Sequence, residues 1–230
     1  MNPNAIREKF GDDYTADERT FKMGIDQRFA AHFAERFRGH NVLETCTGAG
    51  FTTISLAKTA KHVYTVEINK SHQEQAIRNV KKAGLLSHVS FINGSILDPE
   101  LLDNLPAVDS AFIDPDWADT DPDHVYRFIH SNTQPPADAL LNKIFEITKN
   151  AAIVLPPFLD VKEFSNLPEH EREKLYLGER LEIFCLYFGK LIQSIGETEF
   201  RVPVYQYNAI RTCLTPFLST TIKKCSKMPI

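Results

Sequence analysis

Apolar residues fall at every fourth position near the start of the chain, at Ile25, Phe29, Phe33 and Phe37. This period predicts an amphipathic helix, and Gly39 follows it as a residue typical of helix ends. The twenty or so residues before it are polar and are expected to form a loose arm or a short helix.

Short apolar runs alternate with helical patterns between residues 41 and 155. The predicted strands are residues 41–45, 62–68, 89–92, 108–113 and 151–155, and the predicted helices are residues 51–59, 71–83 and 138–149. Strands separated by helices indicate βαβ units and a mainly parallel α/β sheet.

The last third of the chain has a different pattern. Residues 181–188 form a long apolar and aromatic run, and residues 198–207 are rich in strand formers. We expect these segments to be two antiparallel strands that close the sheet, which gives seven strands in all. Residues 208–230 have no clear period and are expected to be a tail.

Composition limits the classes of protein to consider. The hydrophobic fraction of 43% is ordinary for a globular chain, and the net charge of −4 argues against a protein that coats nucleic acid along its length. The four cysteines stand singly, so zinc and thioredoxin-type motifs lack their spacing. The polar N-terminus contains no apolar targeting or membrane segment, which predicts a cytoplasmic protein.

A glycine loop joins the first strand to the next helix in the sequence ETCTGAGF, with Gly48 and Gly50 allowing the backbone to turn sharply. The loop lacks the third glycine of a dinucleotide fingerprint and has no Gly-Lys-Ser/Thr, so a phosphate cradle is not favoured. Glu44 at its start suits a cationic ligand group, such as the sulfonium or amino group of S-adenosylmethionine.

Two further segments follow the next strands. Glu67 ends the second strand about 20 residues beyond the loop, the spacing of a carboxylate that holds ribose hydroxyls; its alternative is a charge at a helix N-terminus. Asn93, Gly94 and Ser95 follow the third strand. They are expected either to contact an adenine or to form an ordinary tight turn with no ligand.

The fourth strand runs into Asp114-Pro115-Asp116-Trp117. Ligands of open α/β sheets lie beyond the carboxyl ends of the strands, where this segment belongs. An exposed tryptophan there stacks on a flat ring, and a neighbouring acid accepts a hydrogen bond from an exocyclic amine. The alternative is a core tryptophan, which the polar neighbours of Trp117 disfavour.

These motifs, from VLETCTGAGFTTISLA through VYTVEINKSHQEQAIRNVKKAGL, VSFINGSILD, FIDPDW and EITKNAAIVLPP to LEIFCLYFGKLI, resemble the trimethylguanosine synthase (RNA cap guanine-N2 methyltransferase) family. The resemblance covers about residues 26–192 and implies a Rossmann-like class I methyltransferase fold. It also implies S-adenosylmethionine as cofactor and direct transfer of its methyl group to an amine. In that family a Ser/Asp/Asn-Pro-Pro-Trp tetrad holds the amine and stacks the base.

Asp114, Pro115 and Trp117 match the tetrad, and we expect them to be the catalytic residues. Asp116 stands where the family has a second proline, and Ala118 and Asp119 replace glycines. Asp116 is expected to add flexibility and negative charge, which puts the substrate in doubt. The expected cofactor-binding residues are Glu44, Thr45, Cys46, Gly48, Ala49, Gly50, Glu67, Ile68, Asn93, Gly94 and Ser95.

The aspartates at and after position 114 also have to be considered as a metal site. The acids Asp114, Asp116, Asp119, Asp121 and Asp123 lack the glycine and glutamate of an EF-hand, so no metal site is expected.

The expected organisation is an N-terminal helical arm (1–38), a methyltransferase domain (39–207) and a C-terminal tail (208–230). The substrate is expected to be RNA or a nucleotide. A small-molecule acceptor and a catalytically silent cofactor-binding homologue are the alternatives, and the oligomeric state stays open.

Overall fold

A computed structural model of the chain describes residues 1–117 and 126–203. Within these ranges the helices are α1 (Pro3–Phe10), α2 (Glu18–Met23), α3 (Gln27–Glu35), α4 (Phe51–Thr59), α5 (Lys70–Lys82), α6 (Pro99–Asp103) and α7 (Ala137–Ile147). The strands are β1 (Asn41–Thr45), β2 (His62–Glu67), β3 (Val89–Asn93), β4 (Ser110–Ile113), β5 (Ala151–Leu155), β6 (His170–Leu177), β7 (Arg180–Phe188) and β8 (Gly196–Val202). The expected tail, residues 208–230, and Ala118, Asp119, Asp121 and Asp123 lie outside the described residues.

One sheet contains all of these strands, in the order β3-β2-β1-β4-β5-β7-β6-β8. The first five strands of that order are parallel to one another, whereas β7 runs antiparallel to both of its neighbours. The mainly parallel sheet with an antiparallel C-terminal hairpin is therefore confirmed. The predicted count of seven strands is wrong, because the described residues form eight.

The extra strand is β6, which pairs with β7 to form the hairpin. Residues 198–202 of the segment predicted over 198–207 belong instead to β8, which lies parallel to β6, and residues 204–207 lie outside the described residues. The hydrophobicity pattern does not predict β6, because two of its buried residues, Glu171 and Glu173, are acidic. Arg36 donates to both carboxylate oxygens of Glu171 at 2.8 and 2.9 Å, and the Tyr187 hydroxyl donates to Glu173 at 2.7 Å.

Helices cover both faces of the sheet. The adjacent residues Val42 and Leu43 of β1 are fully buried on opposite faces, since successive side chains of a strand alternate. Val42 packs in the cluster that contains α3 and α4, and Leu43 packs in the cluster that contains α7. Parallel strands buried on both faces read as continuous apolar runs, which is why the sequence indicated them well.

The N-terminal arm folds back onto the glycine-loop region. Phe10 of α1 stacks on Phe51 with ring centroids 3.5 Å apart. The Asn79 amide donates to the carbonyl oxygens of Thr15 and Ala49 at 2.8 and 2.9 Å, which ties the arm to the loop before α4. The arm is therefore a packed part of the fold. No helix among the described residues is long and apolar enough to cross a membrane.

Candidate active site

The glycine loop lies beyond the carboxyl end of β1 and makes a sharp turn into α4. Cys46, Gly48 and Gly50 all have left-handed backbone conformations, with φ of 61°, 54° and 79°. Gly50 also allows a close approach, because a Cβ atom there would lie 2.9 Å from the Cβ of Ala76 in α5. A Cβ on Gly48 would meet no atom within 4 Å, so space beside this residue is open.

Glu67 ends β2 and is buried, with both carboxylate oxygens engaged by backbone. One oxygen accepts from the N–H of Gly48 at 2.8 Å, and the other accepts from the N–H of Asn69 at 2.7 Å. Asn69 caps α5, so the helix-terminus contact weighed as the alternative is present. Each oxygen has a second lone pair, and Glu67 also lines the cavity described below.

Glu44 lies at the end of β1 and is only 2% exposed. Its Oε2 accepts from the hydroxyls of Thr53 and Thr65 at 2.6 and 2.7 Å. Burial raises the pKa of Glu44 to about 7, and the charge of Glu67 acts in the same direction, whereas the two hydroxyl hydrogen bonds oppose the rise. This carboxyl group therefore changes charge near neutral pH.

Two adjoining cavities open at this edge of the sheet. The large cavity, of about 400 Å³, is lined by Arg19, Met23, Cys46, Val66, Glu67, Ile68, Asn69, His72, Gly94, Ser95, Ile96, Asp116, Gln134 and Pro135. The inner chamber, of about 40 Å³, is lined by Glu44, Cys46, Thr47, Gly48, Ala49, Phe51 and Thr52, by residues 114–117, and by Thr20 and residues 22–25 of the arm. Cys46, Met23 and Asp116 line both, so the two spaces meet at these side chains.

Three of the expected cofactor residues line neither space. Thr45 is fully buried, Gly50 serves the packing of α4 on α5, and Asn93 is exposed and donates its amide to the carbonyl oxygen of Glu67 at 2.8 Å. Gly94, which also donates to that oxygen at 3.0 Å, and Ser95 do line the large cavity. Enclosure raises the pKa of the Cys46 thiol, as do the charges of Glu67 and Asp114, so the thiol is neutral.

The segment of residues 114–117, here called the acceptor segment, forms one wall of the inner chamber. Enclosure, together with the charges of Glu44 and Asp116, raises the pKa of Asp114 well above its usual range. Trp117 is half-buried and packs edge-on against Tyr126, with the ring centroids 6.4 Å apart. The Tyr126 hydroxyl donates to the backbone carbonyl oxygen of Trp117.

Asp116 is held more firmly than the sequence suggested. Its N–H donates to the Gln134 carbonyl oxygen and its own carbonyl oxygen accepts from the Gln134 N–H, both at 2.8 Å. Its carboxylate forms an ion pair with Arg19, and only 11% of the side chain is exposed. The expectation that Asp116 adds flexibility is therefore wrong, because backbone and side chain are both restrained.

A third space, the outer cavity of about 450 Å³, is also lined by Trp117. It is lined by Lys9, Phe21, Lys22, Met23, Phe29, Trp117, Leu177, Arg180, Glu182 and Ile183, among others. Burial lowers the pKa of Lys9 to about 8 against the opposing charges of Asp26, Glu182 and Asp114. Residues 22–25 of the arm and Trp117 line both this outer cavity and the inner chamber, so the two spaces adjoin at these residues.

Sequence reasoning missed the contribution of the arm to the site. Arg19, Thr20 and Met23 line the cavities from α2, and His72 lines the large cavity from α5. Nothing in the polar sequence before residue 25 indicates such contacts, since Arg19 meets a residue 97 positions away.

The fold is that of the class I methyltransferases. A methyltransferase structure from Porphyromonas gingivalis W83 superimposes with a TM-score of 0.68 at 15% identity, over 84% of this chain and 49% of that one. The structure of M. capricolum TrmK in complex with S-adenosylhomocysteine matches with a TM-score of 0.50 at 14% identity, over 73% of this chain and 69% of that one. These identities are low, and the likeness is one of fold.

The family is defined by sequence. A profile described as RNA cap guanine-N2 methyltransferase matches residues 39–207, and the chain belongs to that family. A protein named as an RNA methyltransferase of Fusobacterium nucleatum is 30% identical over 88 residues, which are 37% of this chain and 19% of that protein. The chain thus spans about a fifth of this relative and about half of the Porphyromonas structure. The expected family and fold are confirmed, and the expected cofactor, S-adenosylmethionine, is the one that this family of methyltransferases uses.

Proposed function

We propose that the protein transfers a methyl group from S-adenosylmethionine to an exocyclic amine of a guanine-like base, carried by RNA or by a nucleotide. The observation that carries this proposal is the inner chamber, which the glycine loop and the acceptor segment line together. The family description and the name of the Fusobacterium relative support RNA as the acceptor.

The residues of the large cavity fit the cofactor. Its volume of about 400 Å³ lies in the range of small-molecule sites. Glu67 offers a fixed carboxylate to ribose hydroxyls, and Gly94, Ser95 and Ile96 provide a flat side for an adenine. Glu44 and Asp114 bring acid groups to the inner chamber, which suits the cationic end of the cofactor.

When bound, the cofactor supplies an electrophilic methyl group on a sulfonium. The chain contributes orientation and charge. Asp114 accepts a hydrogen bond from an N–H of the acceptor amine. A carboxyl group has an accepting oxygen in either protonation state, so the raised pKa of Asp114 is compatible with this role. Pro115 is buried and fixes the backbone between Asp114 and Asp116.

The acceptor base stacks on Trp117 from the outer cavity. The inner chamber, at about 40 Å³, admits an amine and a methyl group but not a whole ring, whereas the outer cavity of about 450 Å³ admits a nucleoside. Trp117 lines both spaces and provides the flat face on which a base stacks.

Binding of the cofactor is tested with S-adenosylhomocysteine and its 2′,3′-dideoxy analogue in calorimetry. We expect the wild-type chain to prefer the hydroxylated ligand by about 10- to 100-fold, as for hydrogen bonds to a charged group. In Glu67→Ala this preference disappears, whereas the exposed Glu146→Ala keeps it. A wild-type chain that binds neither ligand contradicts the cofactor assignment.

Transfer is tested with labelled cofactor on total RNA, guanine nucleotides and a small-molecule extract. We expect label in a guanine-containing fraction, loss of label in Trp117→Ala with retained S-adenosylhomocysteine binding, and partial activity in Trp117→Phe. Full turnover by Trp117→Ala rejects the stacking role. Label only in the small-molecule fraction supports the alternative acceptor, and cofactor binding with no transfer supports a silent homologue.

We further propose that residues 1–38 act as an arm that completes the site of the 39–207 domain. The basis is the lining of all three cavities by residues of the arm. In the full-length chain, Met23→Ala, which changes an arm residue that lines all three cavities, should therefore lower transfer, and unchanged transfer would contradict this role of the arm.

A further inference from the structure

We propose that Arg19 is a positioning residue that fixes the acceptor segment through its ion pair with Asp116. The catalytic consequence of this role rests on the proposed function, whereas its structural consequence can be measured without any ligand. Four observations support it: the anchoring of α2, the restraints on Asp116, the use of the Asp116 N–H, and the place of Asp116 between the cavities.

Helix α2 gives Arg19 a fixed base. Asp17 accepts from the Thr20 N–H at 2.8 Å, and Gln75 of α5 donates to Asp17 at 2.7 Å. The Thr20 hydroxyl donates to the side-chain Oε1 of Gln75 at 2.9 Å in a buried contact. The first turn of α2 is therefore held to α5, and Arg19 lies between Asp17 and Thr20 in that turn.

Asp116 is restrained from two directions. The Arg19 guanidinium holds its carboxylate, while Gln134 pairs with its backbone N–H and carbonyl. These two partners come from elements far apart in sequence. Because Asp116 lies between Pro115 and Trp117, restraining it orients both neighbours, and Tyr126 holds the Trp117 carbonyl on the far side.

A proline could not take the same place at this position. Proline lacks the N–H that Asp116 donates to Gln134 at 2.8 Å, so it would remove one of the paired backbone bonds. The chain reaches a rigid backbone in another way, with a residue that keeps its N–H and carries a carboxylate for Arg19. This explains how the segment can depart from the Pro-Pro pattern and still hold Trp117.

The ion pair lies at the junction of the site. Asp116 lines both the large cavity and the inner chamber, and Arg19 lines the large cavity. A displacement of Asp116 would also displace Asp114 and Trp117, which are proposed to hold the amine and the base. Small misplacements of this kind are costly to transfer even when binding persists.

Trp117 is the single tryptophan of the chain, so its fluorescence reports the acceptor segment directly. The experiment measures acrylamide quenching of the full chain without ligand in the wild type, Arg19→Ala, Arg19→Lys, Asp116→Ala and the double variant. Alanine at 116 keeps the backbone N–H and removes only the carboxylate. Arg38→Ala is the matched control, because Arg38 pairs with Glu35 and lines none of the three cavities.

We expect Arg19→Ala to raise the quenching constant and, at saturating cofactor and acceptor, to lower kcat by about tenfold or more. Arg19→Lys, which keeps the charge, should restore part of both. In the Asp116→Ala background the Arg19 substitution should have a clearly smaller effect than in the wild-type background, and Arg38→Ala should match the wild type.

Equal effects of Arg19→Ala in both backgrounds, or no effect on quenching and kcat in either, overturn the proposal. A wild-type chain that transfers no methyl group, but whose quenching still shows the coupling between Arg19 and Asp116, refutes the proposed function and leaves the positioning role standing. Circular dichroism of each variant establishes that the comparison is made on folded protein.

Discussion

The substitution Glu44→Gln tests the electrostatics of the site through stability. Glu44 is 2% exposed, and its Oε2 accepts from the hydroxyls of Thr53 and Thr65, two bonds that the carbonyl oxygen of glutamine can also accept. The substitution removes the charge and keeps the size of the side chain and these contacts. A change in stability with pH that it abolishes therefore belongs to the ionisation of Glu44 or to that of Asp114, whose pKa the Glu44 charge helps to raise.

The size of the effect follows from the pKa. The pKa of Glu44 rises from 4.5 to about 7 on folding, which corresponds to about 3 kcal/mol, at about 1.4 kcal/mol for each pH unit. Because the folded-state value is the higher one, this stabilisation is fully present below about pH 4.5 and is lost as pH rises towards about 7. The wild type should thus lose about 3 kcal/mol relative to Glu44→Gln across that window.

Urea unfolding of both chains between pH 5 and pH 8 measures this difference. Subtracting the two free energies of unfolding cancels the titrating groups that do not interact with Glu44, whereas Asp114, whose pKa the Glu44 charge helps to raise, contributes to the difference in the same direction. The exposed Glu146→Gln is the control and should track the wild type at every pH. A difference between wild type and Glu44→Gln that stays constant, or that changes in favour of the wild type as pH rises, refutes the reasoning.

Three further predictions follow from the same geometry. Affinity for cationic S-adenosylmethionine should rise by about tenfold from pH 6 to pH 8 as Glu44 ionises, and calorimetry should show a flat profile in Glu44→Gln. Gly48→Ala should lower the free energy of unfolding by about 1–2 kcal/mol, because alanine is strained at the left-handed φ of this residue. Gly50→Ala should lower it by about 3 kcal/mol or more, because the added Cβ also meets Ala76. Equal losses for the two variants in urea unfolding would contradict the packing argument. Glu171→Gln should cost about 3–5 kcal/mol by leaving the buried Arg36 charge without its carboxylate, and a loss under about 1 kcal/mol would be inconsistent with this.

The last of these sites also has a defined pH dependence. Burial alone would raise the pKa of Glu171, but Arg36, the N–H groups of Gln193 and Ser194 and the Thr198 hydroxyl lower it to about 2. Its stabilisation is therefore present above about pH 4.5 and is lost as pH falls towards 2. The Glu44 and Glu171 contributions change in opposite directions on acidification.

The sequence alone determined the parallel half of the sheet and the position of the glycine loop. Strands β1 and β5 and helix α4 have the predicted bounds, and Glu44, Glu67 and Asp114 fall at strand ends as expected. These features are local, because continuous apolar runs, a glycine turn and an acid at a strand end can each be read within a few residues.

Only the tertiary structure decided the rest. β6 was not predicted because its buried face carries Glu171 and Glu173, whose partners are Arg36, which follows α3, and Tyr187 of β7. The arm became part of the site, and Asp116 became rigid, through contacts between residues far apart in sequence. The physical reason is the same in each case: a buried charge is stable only beside its partner, and the fold determines which partner that is.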